Sequence, residues 1–125
     1  TPSLTIDTTA PLAPTITSVT SSTLDGTLGV GGTVSIQVVF SEVVNVTGTP
    51  QLTLETGATD AVVNYASGTG TNTLTFTYTV SSGENSSDLD YESIAALILN
   101  GGTIQDAALN NATMTLPAPG AVNSL

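Results

Sequence analysis

The chain has 125 residues, 39% of them hydrophobic, and its Asp and Glu residues number 10 against no Lys, Arg or His, for a formal charge of −10 at pH 7. That length suits one domain with a core of its own, and the lack of any cationic side chain excludes an electrostatic grip on nucleic acid, phosphate or anionic lipid. With no Cys and no His, disulfides, thiolate sites and the usual zinc and copper ligands are excluded too; hard oxygen ligands remain, which suit calcium or, less well, magnesium.

Charged residues make up only 8% of the chain, so hydroxyls and amides must cover the surface. Threonine favours strands and glycine breaks helices, so a β-rich, loop-rich chain is expected. No apolar run is long enough to span a bilayer, and no basic segment resembles the start of a signal peptide. A segment taken from a longer secreted chain would read this way.

Residues 1–14 read as a linker or the end of a preceding module, with Pro11 and Pro14 imposing extended backbone. Thr15–Thr20 predicts a first strand, and the mismatched phase of Ile16 and Val19 predicts a bulge in it. From Val34 the alternation is clean: Val34, Ile36, Val38 and Phe40 share one face, Ser35, Gln37 and Val39 the other. A separate short strand is expected over Val43–Val46, after Ser41-Glu42. Leu52 with Leu54, then Ala61, Val63 and Tyr65, supply two more inward sets between glycine-rich turns.

The most regular strand pattern is Leu74, Phe76, Tyr78 and Val80 facing one way and Thr73, Thr75, Thr77 and Thr79 the other. A row of threonines has the look of some ice-binding surfaces, but it is also the ordinary wet face of an antiparallel strand, and the ordinary role is expected. Ser93–Leu99 predicts a short helical turn leading into a strand, Asn100-Gly101-Gly102 a tight turn, Thr103–Gln105 a short strand and Thr113–Leu116 a last one. Residues 117–125 read as the start of a connector. About seven or more short strands, about eight to twelve residues apart, predict an all-β, antiparallel, immunoglobulin-like β-sandwich over residues 15–116, without the Trp and Cys of antibody domains.

Catalysis has little to draw on. Nucleophile triads need His, Cys or Lys; a carboxylate pair among Asp88, Asp90 and Glu92 could in principle cleave a glycoside, but the chain has no Trp and few aromatics to stack a sugar. The chain is expected not to be an enzyme. The same acids are the densest charge cluster, and a calcium site is expected there. Asp88 does not begin an EF-hand, since its sixth and twelfth positions would be Ser93 and Leu99 where that loop needs Gly and Glu. An irregular site remains, built from Asp88, Asp90 and Glu92 with Glu42 arriving from another loop. A second is expected at Asp106 and Asn110, with Asp7 or Asp25. Solvated loop acids are the plain alternative for both. Sequons at Asn45, Asn85 and Asn111 are read as incidental.

Several stretches together resemble the tandem immunoglobulin-like, cadherin-like repeats of large bacterial surface adhesins secreted by the calcium-rich toxin-repeat route and used in biofilms. They are Ile6-Asp7-Thr8-Thr9-Ala10-Pro11, Phe40-Ser41-Glu42, Gly48-Thr49-Pro50-Gln51-Leu52-Thr53-Leu54, Asp88-Leu89-Asp90-Tyr91 and Asn100 through Asn110. They span most of the chain from Ile6 to Leu116. The resemblance implies calcium at or near the junctions between modules, held by the linker aspartate and the D-A-A-G-N loop. Asp7, Asp106 and Asn110 match those positions, and Leu109 stands where that family usually has glycine. Leu89-Asp90-Tyr91-Glu92 also resembles the L-D-x-E motif of cadherins, which implies Asp90 and Glu92 as ligands. A non-catalytic, monomeric extender module is therefore expected, extracellular on a bacterial cell surface. Its partners would be neighbouring repeats of the same chain. The alternative is a ligand-binding tip that recognises sugar, protein or ice; a glycosidase is a third, weaker option.

Overall fold

A computed structural model of the chain describes residues 13–22, 27–57, 60–86 and 89–125. Among these residues there is no helix, and seven strands follow one another: β1 (Ile16–Ser21), β2 (Thr33–Thr47), β3 (Gln51–Leu54), β4 (Ala61–Ser67), β5 (Thr71–Thr79), β6 (Leu97–Ile98) and β7 (Thr103–Gln105). Their order is β1-β2-β5-β4-β3-β6, with β7 paired to β2 off that path, and every pairing is antiparallel. The result is an all-β antiparallel sheet curled into an open half-barrel, coarser than the two-layer sandwich expected.

The period-2 patterns locate the core. Val34, Ile36, Val38, Phe40 and Val44 on β2 are buried, as are Leu74, Phe76 and Tyr78 on β5, and they meet Leu52, Leu54, Val63, Leu97 and Ile104 in one apolar cluster. The threonines of β5 alternate with that inward set and lie on the other face, Thr77 and Thr79 exposed and Thr73 and Thr75 half-buried. The expected bulge in β1 is present as a register shift between Ile16 and Ser18 against β2.

β2 differs from expectation. In place of two strands separated at Ser41-Glu42 it is one strand of 15 residues. Its first half pairs with β5, its register shifts between Val39 and Val44, and its last three residues pair with β7. Nothing at Ser41-Glu42 forces a break, since neither residue is Gly or Pro and both keep extended backbone. Ser41 N–H even donates to Thr15 O at 2.7 Å, which carries the pairing with the β1 edge past Phe40.

Two other stretches differ. Residues 93–95 form a turn, closed by Ala96 N–H to Ser93 O and Ala95 N–H to Ser93 Oγ, and no helix forms there. This turn is an insertion in a single edge segment: Leu54 bridges Tyr91 on one side of it and Leu52 pairs with Leu97 on the other. Thr113–Leu116 forms no strand, but Leu116 is buried and its N–H donates to Ile94 O.

Residues 117–125, read as the start of a connector, fold back on the sheet. Val19 N–H donates to Asn123 O at 2.9 Å and Asn123 Nδ2 donates to Thr17 O at 3.0 Å, so this segment covers the outer edge of β1. Its anchor is the pair Asp90-Tyr91. Asp90 Oδ2 accepts Gly120 N–H at 2.8 Å and Ser124 Oγ–H at 3.2 Å, while the hydroxyl of Tyr91 donates to Pro117 O. Tyr91 is the largest fully buried side chain, 1% exposed, and burial with the neighbouring Asp90 charge pushes its phenol up to about 12.

Tyr91→Phe keeps the ring and deletes the hydroxyl, so it is expected to cost about 1 to 2 kcal/mol and to lower the melting midpoint by several degrees. Amide exchange at Val19 should speed up with it if residues 117–125 are held through this contact; hydrogen exchange measured residue by residue checks both.

Candidate functional site

A single strand carries the first acid of the site. β2 buries Phe40 and Val44 on its core-facing register, and Glu42 lies on the same register between them. The alternation therefore aims a carboxylate toward the interior, where an ionised group without a partner is costly. Glu42 is half-buried as a result.

The second acid arrives through β7. Asn45↔Gln105 is the last pair of the β2–β7 ladder, so the chain leaves that ladder at Asp106, beside the C-terminal half of β2 where Glu42 lies. A second bridge, Gln105↔Asn111, closes residues 106–110 into a loop, and Gln105 Nε2 donates to Asn111 Oδ1 at 2.9 Å across its base. Inside the loop Asp106 takes two donors from one residue: Asn110 N–H reaches Oδ1 at 2.8 Å and Asn110 Nδ2 reaches Oδ2 at 2.9 Å. Backbone bonds from Leu109 N–H to Asp106 O and from Asp106 N–H to Asn110 O tighten it further.

Asp106 is only 5% exposed, and its carboxyl is in hydrogen-bond contact with that of Glu42. The two acids divide the strain unequally. The Asn110 side chain, then its backbone N–H, hold Asp106 below the usual carboxylate range, with Glu42 and the Ala108 N–H adding to this against the effect of burial. Glu42 is pushed up, first by burial and then by its contact with the Asp106 charge. Of the two, Glu42 is thus the acid whose neutral form the surroundings favour.

Of the residues expected to bind metal, the structure brings Glu42, Asp106 and Asn110 together. Asp7 and Asp88, with Asp25, lie outside the described residues. Asp90 is occupied differently, its Oδ2 holding residues 120 and 124 and its Oδ1 accepting Tyr91 N–H at 2.9 Å. Glu92 is exposed, its N–H donating to Thr53 O. Among the described residues no three Asp or Glu side chains form a group able to hold a metal. The donor set at Glu42 and Asp106 fits a hard cation in type, all oxygen and all anionic. In number it supplies two carboxylates toward the roughly six to eight oxygens that calcium takes.

Gln105 and Asn111, which brace the loop, were not expected from the sequence; their signal would have been the polar pair flanking Asp106 and Asn110. Leu109 takes φ +65°, the left-handed conformation that suits glycine. The loop keeps that backbone geometry although a Cβ there costs about 1 to 2 kcal/mol.

Comparison of the chain with family models, with curated proteins and with solved structures gives no match.

Leu109 is 73% exposed and loses little packing when truncated. Leu109→Gly should therefore stabilise the protein by about 0.5 to 1 kcal/mol, the relief of left-handed strain less the added freedom of the unfolded chain; chemical denaturation of the two proteins side by side measures it. Titration of metal-free protein gives a second check. Asp106, held below 3.8, contributes stability that is present above that pH and lost as pH falls below it. Glu42, raised above 4.5, contributes stability that is present below that pH and lost as pH rises through its folded pKa. Metal-free stability should thus decline as pH rises past 4.5, and Glu42→Gln should flatten that decline.

Proposed function

We propose that the chain is a non-catalytic extender module, an immunoglobulin-like β-sandwich from a tandem array on a bacterial surface adhesin, stabilised by calcium. The half-open curled sheet would be the two layers of that sandwich, and neighbouring repeats of the same chain would be its partners. The observation that carries this is the contact between Glu42 and Asp106. Two carboxylates held together in a protein with no cationic side chain leave only a proton or an external cation to relieve them.

Calcium at this point would be held by Glu42 and Asp106, with Asn110 and the linker Asp7 as further oxygen donors by resemblance to adhesin repeats, and water for the remainder. Bound there, the ion would neutralise the pair and tie β2 to the loop that follows β7. The chain's own residues set the rest. Asn110 keeps Asp106 ionised and oriented, and the register of β2 fixes Glu42 against it.

Thermal melting with calcium, magnesium and a chelator tests this. At a calcium concentration ten times the dissociation constant, each site adds about 1.4 kcal/mol, about 5 °C for a domain of this size. Glu42→Gln should raise the melting midpoint in chelator and abolish the calcium response. A wild-type midpoint that does not move in millimolar calcium rules the metal out.

A second reading, a ligand-binding tip, has one observation behind it. Where β4 and β5 part, beyond the Tyr65↔Phe76 pair, an open cleft of about 360 Å³ is lined by Val62, Asn64, Thr77, Thr79 and Glu84 among others. Its lining mixes apolar and polar side chains, and its one acid, Glu84, already accepts Tyr78 Oη–H and Ser81 N–H at Oε1. Saturable binding to a glycan panel, lost on substituting Asn64 and Thr77, would favour the tip over the extender.

A further inference from the structure

Asn100 alone among the asparagines of this chain is followed by glycine, and the fold sets that pair at the tip of a two-residue turn. Asn100 and Gly101 both have positive φ, 49° and 80°, and Gly102 N–H closes the turn on Leu99 O at 2.8 Å. Two successive positive-φ residues are the turn geometry for which Asn-Gly is the preferred sequence, and here the turn joins β6, on β3, to β7, on β2. Both residues are exposed, a Cβ added at Gly101 would meet nothing within 4 Å, and the described hydrogen bonds leave the Gly101 N–H unengaged. The Asn100 carboxamide reaches the neighbouring loop, its Nδ2 donating to Thr49 O at 3.2 Å.

We infer that the Asn100–Gly101 link is a site of self-modification, converting without any enzyme to aspartate and isoaspartate through a cyclic imide. The Gly101 backbone nitrogen attacks Asn100 Cγ. A bond forms between them, the Cγ–Nδ2 bond breaks, and Nδ2 leaves as ammonia with the proton given up by the Gly101 nitrogen. One water then opens the ring. Attack at Cγ restores the normal backbone with aspartate at position 100; attack at the backbone carbonyl leaves isoaspartate, with the chain running through the side chain. No oxidant or reductant is consumed.

The fold makes the two products unequal. Both replace the Nδ2 donor with a carboxylate facing the Thr49 carbonyl, and so lose the clip between the two loops. Aspartate is among the residues that tolerate positive φ, so the turn itself survives. Isoaspartate adds one carbon to the backbone; the tip itself is open, but the chain is crowded from Gly102 onward. The Gly48 and Gly102 backbones touch here: a Cβ on Gly48 would sit 2.8 Å from Gly102 Cα, and one on Gly102 would sit 2.2 Å from Thr47 O. Lengthening the turn pushes these strands apart at Thr47↔Thr103 and Val46↔Ile104, the ladder that delivers Asp106 to Glu42. Isoaspartate at position 100 therefore weakens β7 and the acidic loop together.

Incubation of the intact protein in mildly alkaline buffer, followed by peptide mapping, tests the chemistry. Asn100 should gain one mass unit about tenfold faster than the exposed Asn72 and Asn85, a difference of about 1.4 kcal/mol in activation free energy, and hydroxylamine should cleave the chain between residues 100 and 101. Conversion at Asn100 no faster than at Asn72 and Asn85, or without a hydroxylamine-labile bond, overturns it. Asn100→Asp isolates the charge change from the backbone change. The isoaspartyl fraction, separated by chromatography, should melt below Asn100→Asp protein; an equal midpoint would overturn the backbone consequence.

Discussion

One strand sets the terms for this protein. β2 runs for 15 residues without a glycine or proline, pairs with β1, β5 and β7, and keeps its inward register across the bend between its two halves. That register puts Val34, Ile36, Val38, Phe40 and Val44 in the core, and it puts Glu42 among them. An acid on the core-facing register would ordinarily be met by an arginine or lysine. This chain has none, so the partner that the topology brings up is another acid.

Three of the other described acids, Asp90, Glu84 and Asp106, show how a protein without cations accommodates negative charge. Asp90 takes donors from Gly120, Ser124 and Tyr91; Glu84 takes the Tyr78 hydroxyl and Ser81 N–H; Asp106 takes both nitrogens of Asn110. Each anion is met by N–H or O–H groups, which act as weaker stand-ins for a cation. Glu42 departs from that pattern, because the hydrogen-bond contact that shifts it is with a carboxyl. The densest acidic run, around Asp90, has become a clasp for the last nine residues, and the position with an unresolved charge lies on a strand where the sequence shows a single acid.

Much of the fold was legible because period-2 alternation is a local signal. The inward faces of β2 and β5 follow from counting, and the β1 bulge from Ile16 and Val19 falling out of phase. What was not legible depends on contacts between distant residues. Ser41-Glu42 reads as an interruption when only polarity is counted, yet polarity does not end a strand whose pairing continues on its other side. The Asp90 clasp joins residues 30 and 34 positions apart, which no window along the chain contains. The apolar run 93–99 predicted a helical turn before its strand, and pairing with β3, a non-local fact, makes it a plain turn followed by β6. At the candidate site Asp106 and Asn110 read as one oxygen-rich loop, whereas Glu42 was expected on another loop, grouped with Asp88, Asp90 and Glu92. That those three meet follows from the Asn45↔Gln105 register, which cannot be counted from either segment alone.

Leu109 shows which of two demands on the loop prevails. A branched apolar side chain disfavours φ +65°, and solvent exposure gives it nothing in return, so local preference alone would move the backbone elsewhere. The loop holds because both oxygens of Asp106 are bound by Asn110 and because Gln105↔Asn111 closes its ends. Those bonds fix residues on either side of Leu109 and leave it no other path. The strain is thus borne by a residue whose side chain is exposed, while Asp106 and Asn110 keep their geometry. A loop arranged in this way holds Asp106 below the usual carboxylate range beside Glu42, at the cost of left-handed backbone at Leu109.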